Sequence, residues 1–171
     1  MSSPVDPGPR FGLDDEELHA LGLDRANRIR TLRLLVVLAP HLRNLLDRLY
    51  ASDGVTTQQA ALLGVVRELG RPSLGAAAEV LGTSHQNVKQ LVAVLERKGL
   101  LRMVVDPDDR RVRRLETTPK NRRYWARRDP DDHARLLTLF ADLDEAEAEQ
   151  LFRSLLCVFE RLRAAASSGL P

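Results

Sequence analysis

The chain has 171 residues, of which 43% are hydrophobic and 29% charged, an ordinary globular composition that suffices for one domain with long helical extensions. Its only cysteine, Cys157, excludes an internal disulfide and predicts a reducing compartment. No segment approaches the run of about eighteen apolar residues that a membrane-spanning helix needs, and the N-terminus lacks the apolar stretch of a secretory signal, so we expect a cytoplasmic protein without a membrane partner.

Charge is distributed unevenly along the chain, although the formal net charge is only +2. Between Thr83 and Arg128, thirteen Lys or Arg residues stand against five Asp or Glu residues, which gives this segment +8 and leaves −6 for the remainder. A basic segment of this kind predicts an anionic partner. The simpler alternative is a charged face that meets only solvent.

The N-terminal third of the chain is predicted to be a flexible lead-in followed by helices. Residues 1–23 begin with several prolines and glycines and should form a flexible extension. Apolar residues then recur at helical spacing over residues 24–51, where Pro40 predicts a kink or a junction of two helices. Thr56 is a good N-cap for the next helix, with Gln59 at the capping-box position three residues later.

The middle of the chain has the element order of a winged helix-turn-helix domain, which we place at residues 55–118. A short helix over residues 74–81 leads through a tight turn into a longer helix over residues 84–99. The hydrophobic period then changes from helical to extended, which predicts a two-stranded ribbon at 101–105 and 111–117. The predicted fold class is therefore mainly α with a small β-wing.

After the ribbon the chain is predicted to be helical again. A Thr-Pro pair at 118–119 is typical of an N-cap and first helical residue, and Pro130 breaks or kinks that helix. A final helix covers about residues 144–165. The segments 24–51 and 119–165 carry more aliphatic surface than one small lobe needs, so we predict that they form a helical dimerisation region.

The helix predicted at residues 84–99 has two different faces. Apolar residues at positions i, i+3, i+4 and i+7 bury one face, while the other carries donors and acceptors suited to base edges in the major groove. Ser84 and the free backbone amides beside it can hold a phosphate. An ordinary amphipathic surface helix is the alternative. The residues predicted to bind DNA here are Ser84, His85, Gln86, Asn87, Lys89 and Gln90.

The tip of the ribbon has the sequence DPDDRRVRR, residues 106–114, with four arginines close together. Arginines on a ribbon that follows a recognition helix can reach phosphates and the narrow minor groove. We predict that Asp109 pairs with Arg111 and holds the bend, while Arg110 projects outward; the alternative is that the acids only temper local repulsion. The wing residues predicted to bind DNA are Arg110, Arg111 and Arg113.

Two runs in this region, LERKGL at 95–100 and DPxDRR at 106–111, followed by Thr118, resemble the MarR family of bacterial transcription regulators. The upstream sequence VTTQQAALLGVV is similar to the helix that precedes the helix-turn-helix in that family. The resemblance covers roughly residues 24–165. The chain departs from the family pattern at three positions, Met103, Thr117 and Asn121.

The resemblance implies a homodimer whose terminal helices intertwine and which presents two winged helices to successive major grooves of double-stranded DNA. Two-fold symmetry then predicts a pseudo-palindromic operator with half-sites about one helical turn apart. The resemblance also implies repression as the usual output, with activation as the other one. It further implies a cleft for a small aromatic or anionic effector, and the unranked candidates for its lining are His41, Tyr50, Arg67 and Trp125.

Other classes of function find little support in the sequence. The four histidines are far apart with no metal-binding spacing, so we expect no metal and no cofactor. No nucleophile–base pair or phosphate loop indicates an enzyme. Cys157 lies among apolar residues and is interpreted as a buried small hydrophobe rather than a redox sensor. A winged-helix protein-interaction module that docks an acidic partner is the remaining alternative, and the polar face at 86–90 argues against it.

Overall fold

The computed structural model describes residues 20–51 and 54–167, apart from the side chains of Leu23, residues 128–133 and Ser167. Most of the predicted N-terminal extension, residues 1–19, therefore lies outside the described residues. The chain divides into two units, Met1–Val55 and Thr56–Pro171, and each unit is described by itself. None of the helices in the described residues is long and apolar enough to cross a membrane.

The first unit contains one long helix, α1, which spans Leu23–Tyr50. Pro40 lies inside this helix. The option of two abutting helices is therefore wrong, because the chain continues in helical conformation through the proline even though the ring removes one backbone donor. Large apolar side chains remain exposed along the helix, namely Leu32, Leu34, Val36, Val37, Leu38 and Leu42.

The second unit contains the winged helix-turn-helix and two further helices. Its elements in chain order are α2 (Thr57–Leu69), α3 (Leu74–Val80), α4 (His85–Arg97), β1 (Leu101–Val105), β2 (Arg113–Thr117), α5 (Pro119–Leu137), a 3-10 turn (Thr138–Phe140) and α6 (Glu145–Ser167). The strands pair antiparallel, from Leu101 opposite Thr117 to Val105 opposite Arg113. The mainly helical fold with a small β-wing is confirmed.

Side-chain caps define where these helices begin. Thr56 and Gln59 form a complete capping box at the start of α2. The hydroxyls of Ser84 and Thr118 accept from the backbone N–H groups three residues later at the starts of α4 and α5. Each cap satisfies a backbone donor that has no partner within its helix. The three starts predicted from these residues are confirmed.

The core of this unit lies between α2, α4 and the ribbon. Val88, Leu91, Val92 and Leu95 form the buried face of α4, as their spacing predicts. The largest fully buried aliphatic side chains come from all three elements, and they are Leu62, Leu63, Val66, Val88, Val92, Leu95, Leu101 and Leu115. Burial of this face fixes which side of α4 remains available to solvent.

The C-terminus of α4 is tied to its neighbours by hydrogen bonds. Gly99 has φ +67°, and the N–H groups of Gly99 and Leu100 donate to the carbonyls of Glu96 and Leu95, which is a Schellman motif. The Lys98 ammonium donates to Gln59 Oε1 of α2 at 2.7 Å. The Lys98 carbonyl accepts from Lys120 Nζ of α5 at 2.7 Å. Three helices therefore meet at one residue.

The segment before α3 lies beside the ribbon. Ser73 forms a β-bridge with Arg114, and the carbonyl of Pro72 accepts from the N–H of Leu115 at 2.9 Å. Ser73 also caps α3 by accepting from the N–H of Ala76. This contact was not predicted, and it fixes the first helix of the helix-turn-helix to the second strand of the wing.

The C-terminal helices carry a second exposed apolar surface. Pro130 lies inside α5, which continues to Leu137, so the option of a break at the proline is wrong, while the kink stays a prediction. Asp144 and Glu147 exchange backbone-to-side-chain hydrogen bonds of 2.9 Å in a capping box at the predicted start of α6. The exposed large apolar side chains of α6 are Leu151, Phe152, Leu155, Leu156, Val158, Phe159 and Leu162.

Candidate nucleic-acid interface

The face of α4 opposite the core carries exposed polar side chains. Gln86, Lys89 and Gln90 are exposed on it, and the Ser84 hydroxyl caps its N-terminus by accepting from the N–H of Asn87 at 3.2 Å. The helical period continues this face to Arg97, which is also exposed. Arg97 was missed in the sequence analysis, although it lies seven residues after Gln90 and so about two turns further on. The face is long enough to follow a groove.

Asn87 differs from the other predicted DNA contacts of α4. Its side chain is half-buried, and its Nδ2 donates to Thr83 Oγ1 at 2.9 Å. Its backbone N–H is held by Ser84. The amide is therefore engaged with the turn between α3 and α4. A base contact from Asn87 stays a prediction, and the observed geometry makes it a residue that fixes this turn.

The bend of the wing is held by Asp106, not by the predicted pair. Asp106 is buried, and its Oδ1 accepts from the N–H groups of Asp108 at 2.9 Å and Asp109 at 3.2 Å. Its Oδ2 accepts from Arg114 Nε. The Arg114 hydrogen bond is the largest cause that lowers the pKa of the Asp106 carboxyl below its ordinary value of 3.8, and the Asp108 N–H adds to it.

The predicted Asp109–Arg111 pair takes a different form. Asp109 Oδ1 accepts from the backbone N–H of Arg111 at 2.9 Å, so the guanidinium of Arg111 is not required for the bend. The ribbon register explains the correction. Because Val104 lies opposite Arg114, the side chain of Asp106 is a diagonal neighbour of Arg114 on the same face of the ribbon. A prediction of the strand register would have identified the Asp106–Arg114 pair from the sequence.

The arginines of the wing divide into two groups. At its base, Arg71 and Arg102 both bind the carboxylate of Glu116, with N–O distances of 2.6 and 2.7 Å. At the tip, Arg110, Arg111 and Arg113 are exposed, and none of them forms an ion pair within the part of the chain that the structure describes. The positive charge that is free to meet a phosphate is therefore concentrated at the tip.

A cavity of about 430 Å³ lies between α2, the end of β2 and the start of α5. The Arg67 guanidinium lies 6.0 Å from the centroid of the Trp125 ring. Asn121 is 1% exposed, and its Oδ1 has no hydrogen-bond partner among the described residues. The lining residues are Val66, Arg67, Gly70, Thr117, Asn121, Arg122, Trp125 and Ala126.

This cavity brings together two of the four residues considered for an effector cleft, Arg67 and Trp125. The other two, His41 and Tyr50, belong to the first unit. Asn121 and Arg122 were not among the candidates. A signal for Asn121 existed in the sequence, because it occupies a position where the MarR family usually has glycine.

Two further expectations concern metals and the cysteine. Among residues 20–51 and 54–167, no three His, Cys, Asp or Glu side chains come together in a way that could hold a metal ion. Cys157 is exposed on α6, so its interpretation as a buried residue is wrong for the single chain. The reason is that the apolar face of α6 around it is itself exposed in this chain.

The short helix, tight turn, polar second helix and arginine-tipped ribbon together define a winged helix-turn-helix protein. A model of the MarR family matches residues 53–112, which run from the start of α2 to the tip of the wing. The winged-helix segment of the chain is therefore similar to the MarR family, as the sequence predicts.

Three proteins are similar to this chain in sequence or in fold. The transcriptional activatory protein BadR of Rhodopseudomonas palustris is 38% identical over 84 residues, 46% of each chain, so this chain matches about half the length of that relative. The structure of an S. aureus MepR–DNA complex is 23% identical with a TM-score of 0.64, covering 75% of this chain and 95% of that one. Bordetella bronchiseptica BpsR, described as regulated in its DNA binding by 6-hydroxynicotinic acid, is 21% identical with a TM-score of 0.65, covering 75% and 98%.

Proposed function

We propose that this chain is a sequence-specific, DNA-binding transcription regulator that acts as a homodimer. In this proposal α4 enters the major groove, and the wing contacts the backbone and the minor groove. The observation that carries it is the combination of an exposed Gln86-Lys89-Gln90 face with three wing-tip arginines that have no counter-ion among the described residues. The DNA complex of the similar MepR and the description of BadR as a transcriptional activatory protein support the same conclusion.

The side chains of α4 and those of the wing tip suit different parts of the DNA. Glutamine offers a donor and an acceptor on one planar group and can pair with adenine in the major groove, and lysine donates to guanine. Arginines at the wing tip bind phosphates and are attracted by the negative potential of a narrow minor groove. These contacts do not distinguish most base sequences. Specificity is therefore assigned to α4, and most of the salt-dependent affinity to the wing.

A homodimer is supported by the two exposed apolar surfaces, one on α1 and one on α6. Large contiguous apolar patches are rare on monomers and mark interaction sites. A second copy is the partner that fits, because a symmetric interface pairs such a surface with itself. Sedimentation of the full chain should give a dimer mass, and a monomer at micromolar concentration would contradict this part of the proposal.

Dimeric symmetry predicts a pseudo-palindromic operator with half-sites about one helical turn apart. Repression by occupation of a promoter is the predicted output, while BadR is described as activatory. A transcription assay on the selected operator distinguishes the two outcomes, because added protein lowers the transcript in the first case and raises it in the second.

The cavity beside Trp125 supports an effector, and we infer a small planar acid that carries a hydrogen-bond donor. The guanidiniums of Arg67 and Arg122 attract a carboxylate, and the indole offers a flat apolar face. The buried Asn121 Oδ1 accepts from a hydroxyl or N–H group of the ligand. BpsR, which responds to 6-hydroxynicotinic acid, supports this class of molecule.

Trp125 is the only tryptophan of the chain, so its fluorescence reports occupation of the cavity directly. Titration with 6-hydroxynicotinate should change the emission saturably, and the Arg122→Ala variant should respond more weakly. Benzoate, which has no donor for Asn121, should bind more weakly than the hydroxylated acid. An unchanged emission in the presence of both acids would remove the effector from the proposal.

The experiment that tests the main proposal selects DNA fragments from a random pool with the purified full-length protein and sequences them. Enrichment of one inverted repeat, with tighter binding than to random DNA, is the expected result. A winged-helix module that docks an acidic protein would retain no DNA even at low salt. The exposed polar face of α4 argues against that alternative.

A further inference from the structure

Gly75, the second residue of α3, lies directly against the imidazole of His85 at the start of α4. A Cβ added at Gly75 would lie 3.0 Å from Nε2 and 3.4 Å from Cε1 of His85, and the 3.0 Å contact is tighter than about nine in ten real contacts of a Cβ atom. Ser73 Oγ follows at 3.7 Å. The distal edge of the His85 ring therefore lies where a Cβ at position 75 would crowd it.

The backbone gives no other reason for glycine at this position. Gly75 is not among the glycines with positive φ, so an alanine can adopt its conformation. Glycine in a helix interior is unfavourable relative to alanine, and α3 is otherwise rich in alanine, with Ala76, Ala77 and Ala78 following directly. What glycine contributes here is room for the neighbouring ring.

We propose that Gly75 is a positioning residue for DNA recognition. By leaving room for the ring, Gly75 holds His85 at the junction of α3 and α4, where the imidazole contacts a phosphate. This inference rests on the proposed function. In a helix-turn-helix the first helix crosses the DNA backbone, while the N-terminal residues of the second helix contact base edges. A ring folded onto the first helix therefore meets the backbone, where an imidazole N–H can donate to a phosphate oxygen.

The test is the Gly75→Ala variant, because structural and functional roles predict opposite results. Alanine favours the helix, and His85 is exposed and can rotate away, so the melting temperature should stay the same or rise. The Kd for the selected operator should rise about three- to tenfold, because the His85 imidazole moves away from the phosphate. Since phosphate contacts carry no sequence information, the Kd for random DNA should rise by the same factor.

Two further variants show whether the effect passes through His85. His85→Ala alone should weaken binding to a similar extent, and adding Gly75→Ala to it should change nothing more. Gly64→Ala in α2 is the matched control, because a Cβ at Gly64 meets nothing within 4 Å. It should leave both DNA affinities unchanged.

The outcomes separate this inference from the proposed function. If the wild-type protein prefers no DNA sequence, the proposed function fails and the inference fails with it. If the wild type binds its operator and Gly75→Ala binds equally well, only the inference is overturned. Effects of Gly75→Ala and His85→Ala that simply multiply in the double variant would also overturn it.

Discussion

Replacing Arg110 by alanine should reduce the salt dependence of DNA binding as well as the affinity. Arg110 is exposed at the wing tip and has no ion-pair partner within the described residues. Its charge is therefore available to displace counterions from a phosphate. Arg102 provides a matched control, because it is also exposed but is bound to Glu116 at 2.7 Å.

The magnitude follows from counterion release. Each phosphate contact contributes about −0.9 to the slope of log K against log salt concentration. A dimer loses two Arg110 contacts, so the slope should become less steep by about 1.8. Between roughly 50 and 200 mM salt, the affinity ratio of wild type to variant should therefore fall by about tenfold.

Fluorescence anisotropy with a labelled operator, at four or more salt concentrations, measures both slopes. Arg102→Ala should change the slope by much less than Arg110→Ala, because its guanidinium is held in an ion pair with Glu116 at the base of the wing. Equal slopes for the wild type and Arg110→Ala, or equal changes for the two variants, would refute the assignment of the wing tip to phosphate contacts. Sedimentation of each variant checks that the dimer is intact.

Three other changes have defined outcomes. Asp106→Asn should weaken DNA binding by loosening the wing. Because the Asp106 pKa is lowered, its ion pair with Arg114 is lost only as the pH falls through the lowered value, so the ratio of wild-type to Asp106→Asn affinity should not change from pH 7 to 5. Leu95→Ala should lower the free energy of unfolding by about 2–5 kcal/mol in urea titrations, because Leu95 is fully buried. Gln86→Ala should reduce the discrimination between operator and random DNA by about 1–3 kcal/mol in competition assays, and an unchanged ratio would contradict a base contact.

The local features of this fold could be predicted from the sequence because they depend on neighbours a few residues apart. The apolar spacing of α4 and the caps at Thr56, Ser84 and Thr118 are of this kind. Proline is a weaker signal. Pro40 lies inside a continuous helix, because the flanking turns keep their own backbone hydrogen bonds although the ring removes one donor.

The features that were missed depend on residues brought together across the chain. The Asp106–Arg114 pair follows from strand register, whereas proximity in the sequence favours Asp109–Arg111. The contact of Gly75 with His85 and the cavity lined by Asn121 and Arg122 require the packing of separate elements. No periodicity within a single helix carries that information.

The hydrogen bonds of Lys98 limit how the winged helix-turn-helix can respond to a bound molecule. A tilt of α4 alone would break its links to Gln59 and Lys120, together with the 2.9 Å bond from the Met103 N–H to Glu96, each worth about 1 kcal/mol. Hydrogen bonds therefore couple the end of α4 to α2, to β1 and to the start of α5. A conformational change caused by a bound molecule therefore costs less free energy if the winged helix-turn-helix rotates as one rigid body than if α4 alone is reoriented within it.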